Sequence, residues 1–115
     1  MGSGLLLRDS SGAVLIVTPT YKPTLEIPGG IVEASESPRA CAQRESLEEL
    51  GLESTPQRLL VMDYLTATEV RPDTLIFVFD GGVLDADDIA RIHLPPTELG
   101  AGETWYLEDG AKTHL

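Results

Sequence analysis

The sequence predicts an α/β fold in which a sheet carries helices on its faces, and three features of the chain support that expectation. Ala13–Val17 is an unbroken apolar run, the mark of a strand buried on both sides and therefore central in a sheet. Pro38–Leu50 lies between a capping Ser37 and a stopping Gly51 and reads as one helix. Thr74–Asp80, rich in aromatic and β-branched residues, supplies a further strand. At 115 residues the chain is expected to form one domain over positions 1–115, large enough for a real core.

Taken in order, Gly4–Arg8 and Ala13–Thr18 read as two strands joined by the polar turn Asp9-Ser10-Ser11-Gly12, of hairpin length. After the loop-like stretch from Pro19 to Pro23, Leu25-Glu26-Ile27 is a brief extended segment that delivers the chain to Pro28-Gly29-Gly30. Two adjacent glycines there let the backbone turn sharply and approach a ligand. On a helical wheel, Pro38–Leu50 places Ala40, Gln43, Leu47 and Leu50 on one side, expected to pack on the sheet. Glu45, Glu48 and Glu49 fall within roughly 100° of arc on the other. Arg58–Thr66 is a strand, separated from Thr74–Asp80 by the polar loop Ala67–Asp73, and Gly81-Gly82 is expected to end the latter strand. Asp85–Ile92 reads as a short helix capped by Asp85, and Glu103–Leu107 as a last strand.

Charge narrows the function classes. Nineteen acidic residues against 8 basic give a formal net charge of −11, a field that disfavours nucleic acid polymers and anionic membrane surfaces as partners. It accommodates a small phosphate-bearing substrate if divalent cations are recruited first, because bound metals reverse the local field. No stretch approaches the length of a membrane span, residues 1–20 show no secretory leader pattern, and Cys41 is the sole cysteine, so a cytoplasmic protein is expected.

The three helix carboxylates repel one another unless something positive sits among them. Magnesium takes oxygen ligands, a few of them carboxylates, and this helix face suits one to three such cations, with carbonyls of Gly29 and Gly30 as extra ligands. Arg44, at the edge of that face, can reach a carboxylate delivered by the preceding loop, for which Glu36 is the candidate. A lone RExxEE on a helix is more often a solvated charged face. The conjunction with Gly30, Glu36 and Gly51 separates this chain from that simpler case.

Gly30, Glu36, Arg44, Glu45, Glu48, Glu49 and Gly51 stand at spacings that resemble the Nudix box, which runs through Leu52. Ser46 departs from it, standing where the family usually carries an aliphatic residue. Leu25-x-Ile27-Pro28-Gly29-Gly30 is similar to the approach that often leads into the box, and the order of strands is similar across nearly the whole chain. The resemblance implies a Nudix-type α/β/α sandwich with a mixed sheet, its C-terminal helix shortened or missing. It further implies Mg²⁺- or Mn²⁺-assisted hydrolysis of the pyrophosphate bond of a nucleoside diphosphate linked to another moiety. Carried over, Glu45, Glu48 and Glu49 are metal ligands, Glu45, Glu48 and Arg44 the catalytic set, and Gly30, Glu36 and Gly51 its structural support, with Glu36 paired to Arg44. The general base comes from the box, as Glu45 or Glu48, or from a downstream loop, as Glu69 or Glu98. Tyr64, Glu69 and Glu98 are the substrate-binding candidates. Cys41 reads as a small packing residue, His93 and His114 as surface histidines rather than ligands, and Tyr21, Phe77, Phe79 and Trp105 as core aromatics. A short C-terminus leaving an apolar sheet face uncovered predicts a homodimer. The competing class is a Nudix-fold module that senses a nucleotide without turning it over, usually marked by lost box carboxylates.

Overall fold

In the computed structural model the described residues are 1–18, 27–92 and 104–108. They form one six-stranded sheet in the order β4 (Leu59–Leu65), β5 (Thr74–Leu84), β1 (Gly2–Asp9), β2 (Val14–Thr18), β6 (Thr104–Glu108), with β3 (Gly29–Ile31) also paired to β1. The sheet is mixed as expected, because β1 runs parallel to β5 while the other pairings are antiparallel. Among the described residues two helices accompany the strands, α1 (Pro38–Leu50) and α2 (Ala86–Ala90).

β1 is the centre. Leu5 and Leu7 are fully buried beneath α1, and they share a core cluster with Leu15, Val17, Leu50 and Phe79. The apolar run of β2 is buried at Leu15, Ile16 and Val17, as its lack of alternation predicts. The turn between β1 and β2 is closed by Asp9, whose Oδ1 accepts from the Ser11 and Ala13 amides at 2.9 Å each, while Gly12 takes the left-handed conformation with φ 90°.

α1 begins and ends where its caps dictate. Ser37 Oγ accepts from the Ala40 amide at 3.0 Å, Pro38 occupies the first turn, and Gly51 at φ 72° donates its amide to Leu47 at 2.9 Å. Ser3 Oγ donates to the Pro38 carbonyl at 2.6 Å, tying the first turn to β1. The buried side, however, is Cys41, Ala42, Glu45, Ser46 and Leu50. Ala40, Gln43 and Leu47 are exposed, Leu47 by 47% of its surface, so the expected apolar back is corrected except at Leu50. The small side chains of Ala42 and Ser46 let the helix lie close to the sheet, which turns Leu47 outward.

Two further boundaries differ from expectation. Gly81-Gly82 does not end β5. The register with β1 passes from Leu6 opposite Asp80 to Leu7 opposite Gly82, so Gly81 is the extra residue of a bulge and the strand continues to Leu84. Asp80 Oδ1 holds the bulge by accepting from the Gly82 amide at 2.9 Å and from Arg8 at 3.2 Å. α2 is shorter than Asp85–Ile92, although Asp85 caps it as expected and forms a reciprocal capping box with Asp88. Its Ile89, together with Ile92 just beyond, packs against the core.

β4 lies at the sheet edge with Leu59, Leu60, Val61, Met62 and Tyr64 all exposed. No helix among the described residues is long and apolar enough to cross a membrane. Because Leu50 is wholly enclosed between α1 and the sheet, Leu50→Ala should destabilise the fold by about 2–5 kcal/mol. Urea denaturation measures this, and a loss near zero would mean that the helix is not packed as described.

Candidate active site

The site starts from the turn that precedes α1. Ser35 adopts φ 64°, unusual for a residue with a side chain, and the Glu36 amide donates to the Glu33 carbonyl at 3.1 Å. That tight turn aims Glu36 back at the helix. The Glu36 carboxylate accepts from Arg44 Nε at 2.7 Å and from Arg44 Nη2 at 3.0 Å, a two-pronged pair of the kind predicted for these residues.

Arg44 does more than hold the loop. Its Nη1 donates to Glu45 Oε1 at 3.0 Å and to Glu48 Oε2 at 3.2 Å, and lies 3.5 Å from Glu33. Nη2 also donates to the Ile31 carbonyl at 3.2 Å, which anchors β3. One guanidinium therefore serves four carboxylates and leaves the cluster in excess negative charge. The Arg44 interaction holds the Glu36 carboxyl down to about 2, from an ordinary 4.5. Reciprocally, the hydrogen bond to Glu36 raises the already high Arg44 value.

Glu45 is the unusual member, with only 9% of its surface exposed. Burial pushes its carboxyl upward and the Glu48 charge adds to this, while Arg44 and a hydrogen bond with Glu49 act against it. Its carboxylate lies against the Cα of Gly30, where a Cβ would collide with both of its oxygens. Gly30 is thus bare because Glu45 fills the space a side chain would need. Glu49 accepts from the Gly29 amide at 3.1 Å, so the glycine turn contacts the acid face through an N–H. Cys41 is fully buried beside Arg44, with its thiol pushed up to about 11, first of all by burial.

The structure brings together Gly30, Glu36, Arg44, Glu45, Glu48 and Glu49, and places Gly51 at the far end of the same helix. Tyr64 and Glu69 lie elsewhere, on β4 and in the loop after it. The Tyr64 hydroxyl is committed to Asp73. Glu98 lies outside the described residues, as do His93, His114 and Tyr21, and the Trp105 side chain is not described. Of the aromatics expected in the core, Phe79 is buried and Phe77 half-buried against it. Glu33 and the Gly29 amide are contributors that the spacing did not single out. An acid three residues before Glu36, within one turn of it, was the available signal.

Two cavities stand out among the described residues, one of them beside α1. The larger, about 650 Å³, sits at the C-terminal end of the helix among Leu52, Thr55, Gln57, Val83 and Arg91. The smaller, about 160 Å³, adjoins Gly29 and Gly30 between β1, β3 and β5. Only the smaller touches the glycine turn against which Glu45 rests.

A model of the NUDIX domain matches residues 1–111, nearly the whole chain and all of the geometry just described. The chain belongs to the Nudix hydrolase family. Its fold is that of other Nudix proteins. The MutT protein from Methanosarcina mazei Go1 superposes with a TM-score of 0.73 at 23% identity, covering 90% of this chain and 73% of that one. A MutT NUDIX hydrolase from Burkholderia pseudomallei gives 0.68 at 19% identity, covering 91% and 80% respectively. The C. elegans Ap4A hydrolase gives 0.64 at 17% identity, covering 95% and 80%.

Nudix hydrolases act on phosphoric anhydrides and generally use divalent ions. Among the described residues no three Asp, Glu, His or Cys side chains converge as a ready-made metal site. The chemistry of the donors nevertheless fits such an ion. They are hard carboxylate oxygens on one helix, one of them buried, in a cluster whose only described cation is shared four ways.

The depressed Glu36 carboxyl makes a pH prediction. Its contribution to stability is fully present above pH 4.5 and is lost as pH falls toward about 2, where it becomes protonated in the folded state. Glu36→Gln should be less stable than the parent at neutral pH, and the gap should close across that acid window. Thermal melts between pH 2 and 6 measure it, and parallel curves for the two proteins would reject the role assigned to Glu36.

Proposed function

We propose that this Nudix chain, acting as a single domain over residues 1–115, hydrolyses the pyrophosphate bond of a nucleoside diphosphate linked to another moiety, assisted by Mg²⁺ or Mn²⁺. The observation that carries the reading is the buried Glu45, pressed on Gly30 and sharing one Arg44 nitrogen with Glu48. A protein gains nothing in stability by burying an acid among other acids. The arrangement makes sense if cations complete it.

Glu45, Glu48 and Glu49 would hold the metal. When bound, it supplies charge neutralisation at the pyrophosphate and Lewis acidity toward the attacking water. The chain's own residues do the rest. Arg44 and Glu36 keep the loop and helix in register, the glycine turn admits the anhydride close to the backbone, and Glu45 or Glu48 is placed to take a proton. Glu69 and Glu98 remain loop candidates for that base, and Tyr64 with the Ala67–Asp73 loop a candidate for substrate selection. The assigned substrate is a small molecule, with no nucleic acid polymer or membrane as partner, in keeping with the net charge of −11. Location in the cytoplasm is proposed with it. The exposed apolar side chains of β4 support the pairing of two copies into a homodimer. Light scattering that returns the monomer mass would count against that pairing.

The catalytic reading is tested by assaying nucleotide sugars, ADP-ribose, dinucleoside polyphosphates and damaged deoxynucleotides with Mg²⁺ or Mn²⁺. Release of product from at least one class is expected. Binding without turnover across the panel would favour a nucleotide-sensing module instead. Glu48→Gln and Glu49→Gln should each lower kcat by about 10²–10³-fold, the scale on which single electrostatic groups act. They should not lower Tm in the absence of metal, because each removes charge from a crowded cluster. In the parent protein, Mg²⁺ should raise Tm.

A further inference from the structure

β4 has one strand neighbour among the described residues, β5, and six consecutive residues of its seven, Leu59 to Tyr64, are exposed. It carries no proline or lysine, residues that commonly guard an edge against pairing. In a chain of net charge −11 this stretch is also neutral, since residues 57–66 hold one base, Arg58, and one acid, Asp63. Both are exposed. The Arg58 guanidinium makes no hydrogen bond or ion pair with another described residue, whereas Arg8, Arg39, Arg44, Arg71 and Arg91 each have partners within the chain. Asp63 accepts from the neighbouring Tyr64 amide at 2.8 Å.

An irregularity of the strand brings these two charges onto one face. In an unbroken strand, residues five apart point to opposite sides. Here Leu59 stands opposite Phe79 and Val61 opposite Val78, so Leu60 is an extra residue and the alternation slips by one. Leu59 and Met62, opposite Phe79 and Phe77, therefore lie on the side of α1 and the core. Asp63, opposite Ile76, lies on the other side. Arg58 lies there as well, because its carbonyl accepts from the Asp80 amide at 2.9 Å and sets it beside Asp80, one step beyond Phe79.

We propose that a second copy of this chain lies antiparallel along the β4 edge, with the two-fold axis between Leu60 and Val61, so that Arg58 of each copy pairs with Asp63 of the other. This rests on the homodimer proposed above and deepens it by naming the edge, the register and the charges that fix it. Leu59 then meets Met62 on the α1 side, and Leu60 meets Val61 at the centre, apolar against apolar. A slip of one residue either way would set Leu59 against Val61 or against Asp63, which face the other side of the sheet. Two copies this acidic repel one another over most of their surfaces, and this edge lets them meet with base opposite acid.

Sedimentation across a range of protein concentrations at low salt tests it, and the parent should be dimeric. Arg58→Asp and Asp63→Arg each set like charges opposite one another twice, and each should weaken the dimer about tenfold or more. Both reversals in one chain should restore the dimer, and the two single variants, each weak alone, should pair with each other when mixed. Arg58→Gln and Asp63→Asn, with a smaller loss of about threefold, serve in their place if a reversal impairs folding. A dimer indifferent to these changes, or single variants that do not pair on mixing, would overturn this register and leave the homodimer standing. A parent that stays monomeric would overturn both. Hydrolysis is not read, so the catalytic function proposed above stands or falls separately.

Discussion

The guanidinium of Arg44 is the point on which the site depends. It joins three pieces of chain that are separate in sequence: the Ile31 carbonyl of β3, Glu36 from the turn, and Glu45 with Glu48 from the helix. Such an arrangement is costly to desolvate, and it holds because the Glu36 contact is two-pronged and charge-assisted. Where Arg44 points is decided by the start of the helix at Ser37 together with the face that packs on the sheet. The cap fixes where the helix begins, and the packing of Ala42 and Ser46 on the sheet sets the rotation that carries Arg44 round to the side where Glu36 waits.

A crowded acid cluster needs a stiff support. α1 is fastened at its first turn by Ser3, and by Arg39, which donates to the Gln57 carbonyl at 2.6 Å and stacks 4.8 Å over the ring of Phe79. Its far end is fastened by the Gly51 cap. The repulsion among the glutamates therefore meets a helix that cannot easily rotate away, and the charge remains concentrated where a cation can use it. Preorganisation of this kind is what distinguishes a site from a charged surface.

Much of this was legible in the chain, for local reasons. The bounds of α1 follow from Ser37, Pro38 and Gly51, each acting on its immediate neighbours, and the Glu36–Arg44 pair follows from spacing along a turn and a helix. What could not be read was decided by partners distant in sequence. The wheel put Leu47 inside and Glu45 outside, because hydrophobicity alone cannot show that Ala42 and Ser46 are the residues small enough to meet the sheet. Gly81-Gly82 reads as punctuation, yet the parallel pairing with β1 and the grip of Asp80 carry β5 through it. Glu33 and the Gly29 amide enter the site through the fold of the turn and of β3; only the spacing of Glu33 from Glu36 hints at the first, and no charge pattern announces the second.

Ser46 departs from the family's aliphatic habit, and it is wholly enclosed, with its hydroxyl donating to the Leu52 carbonyl at 3.3 Å just past the helix end. The two groups form a unit, and the value of one depends on the presence of the other. Redesigning this chain toward its family consensus would therefore mislead at position 46. An aliphatic residue there would strip a buried carbonyl of its donor and overfill a space shaped for a hydroxyl. At position 46 the serine and the Leu52 carbonyl have to be treated as one element of the design.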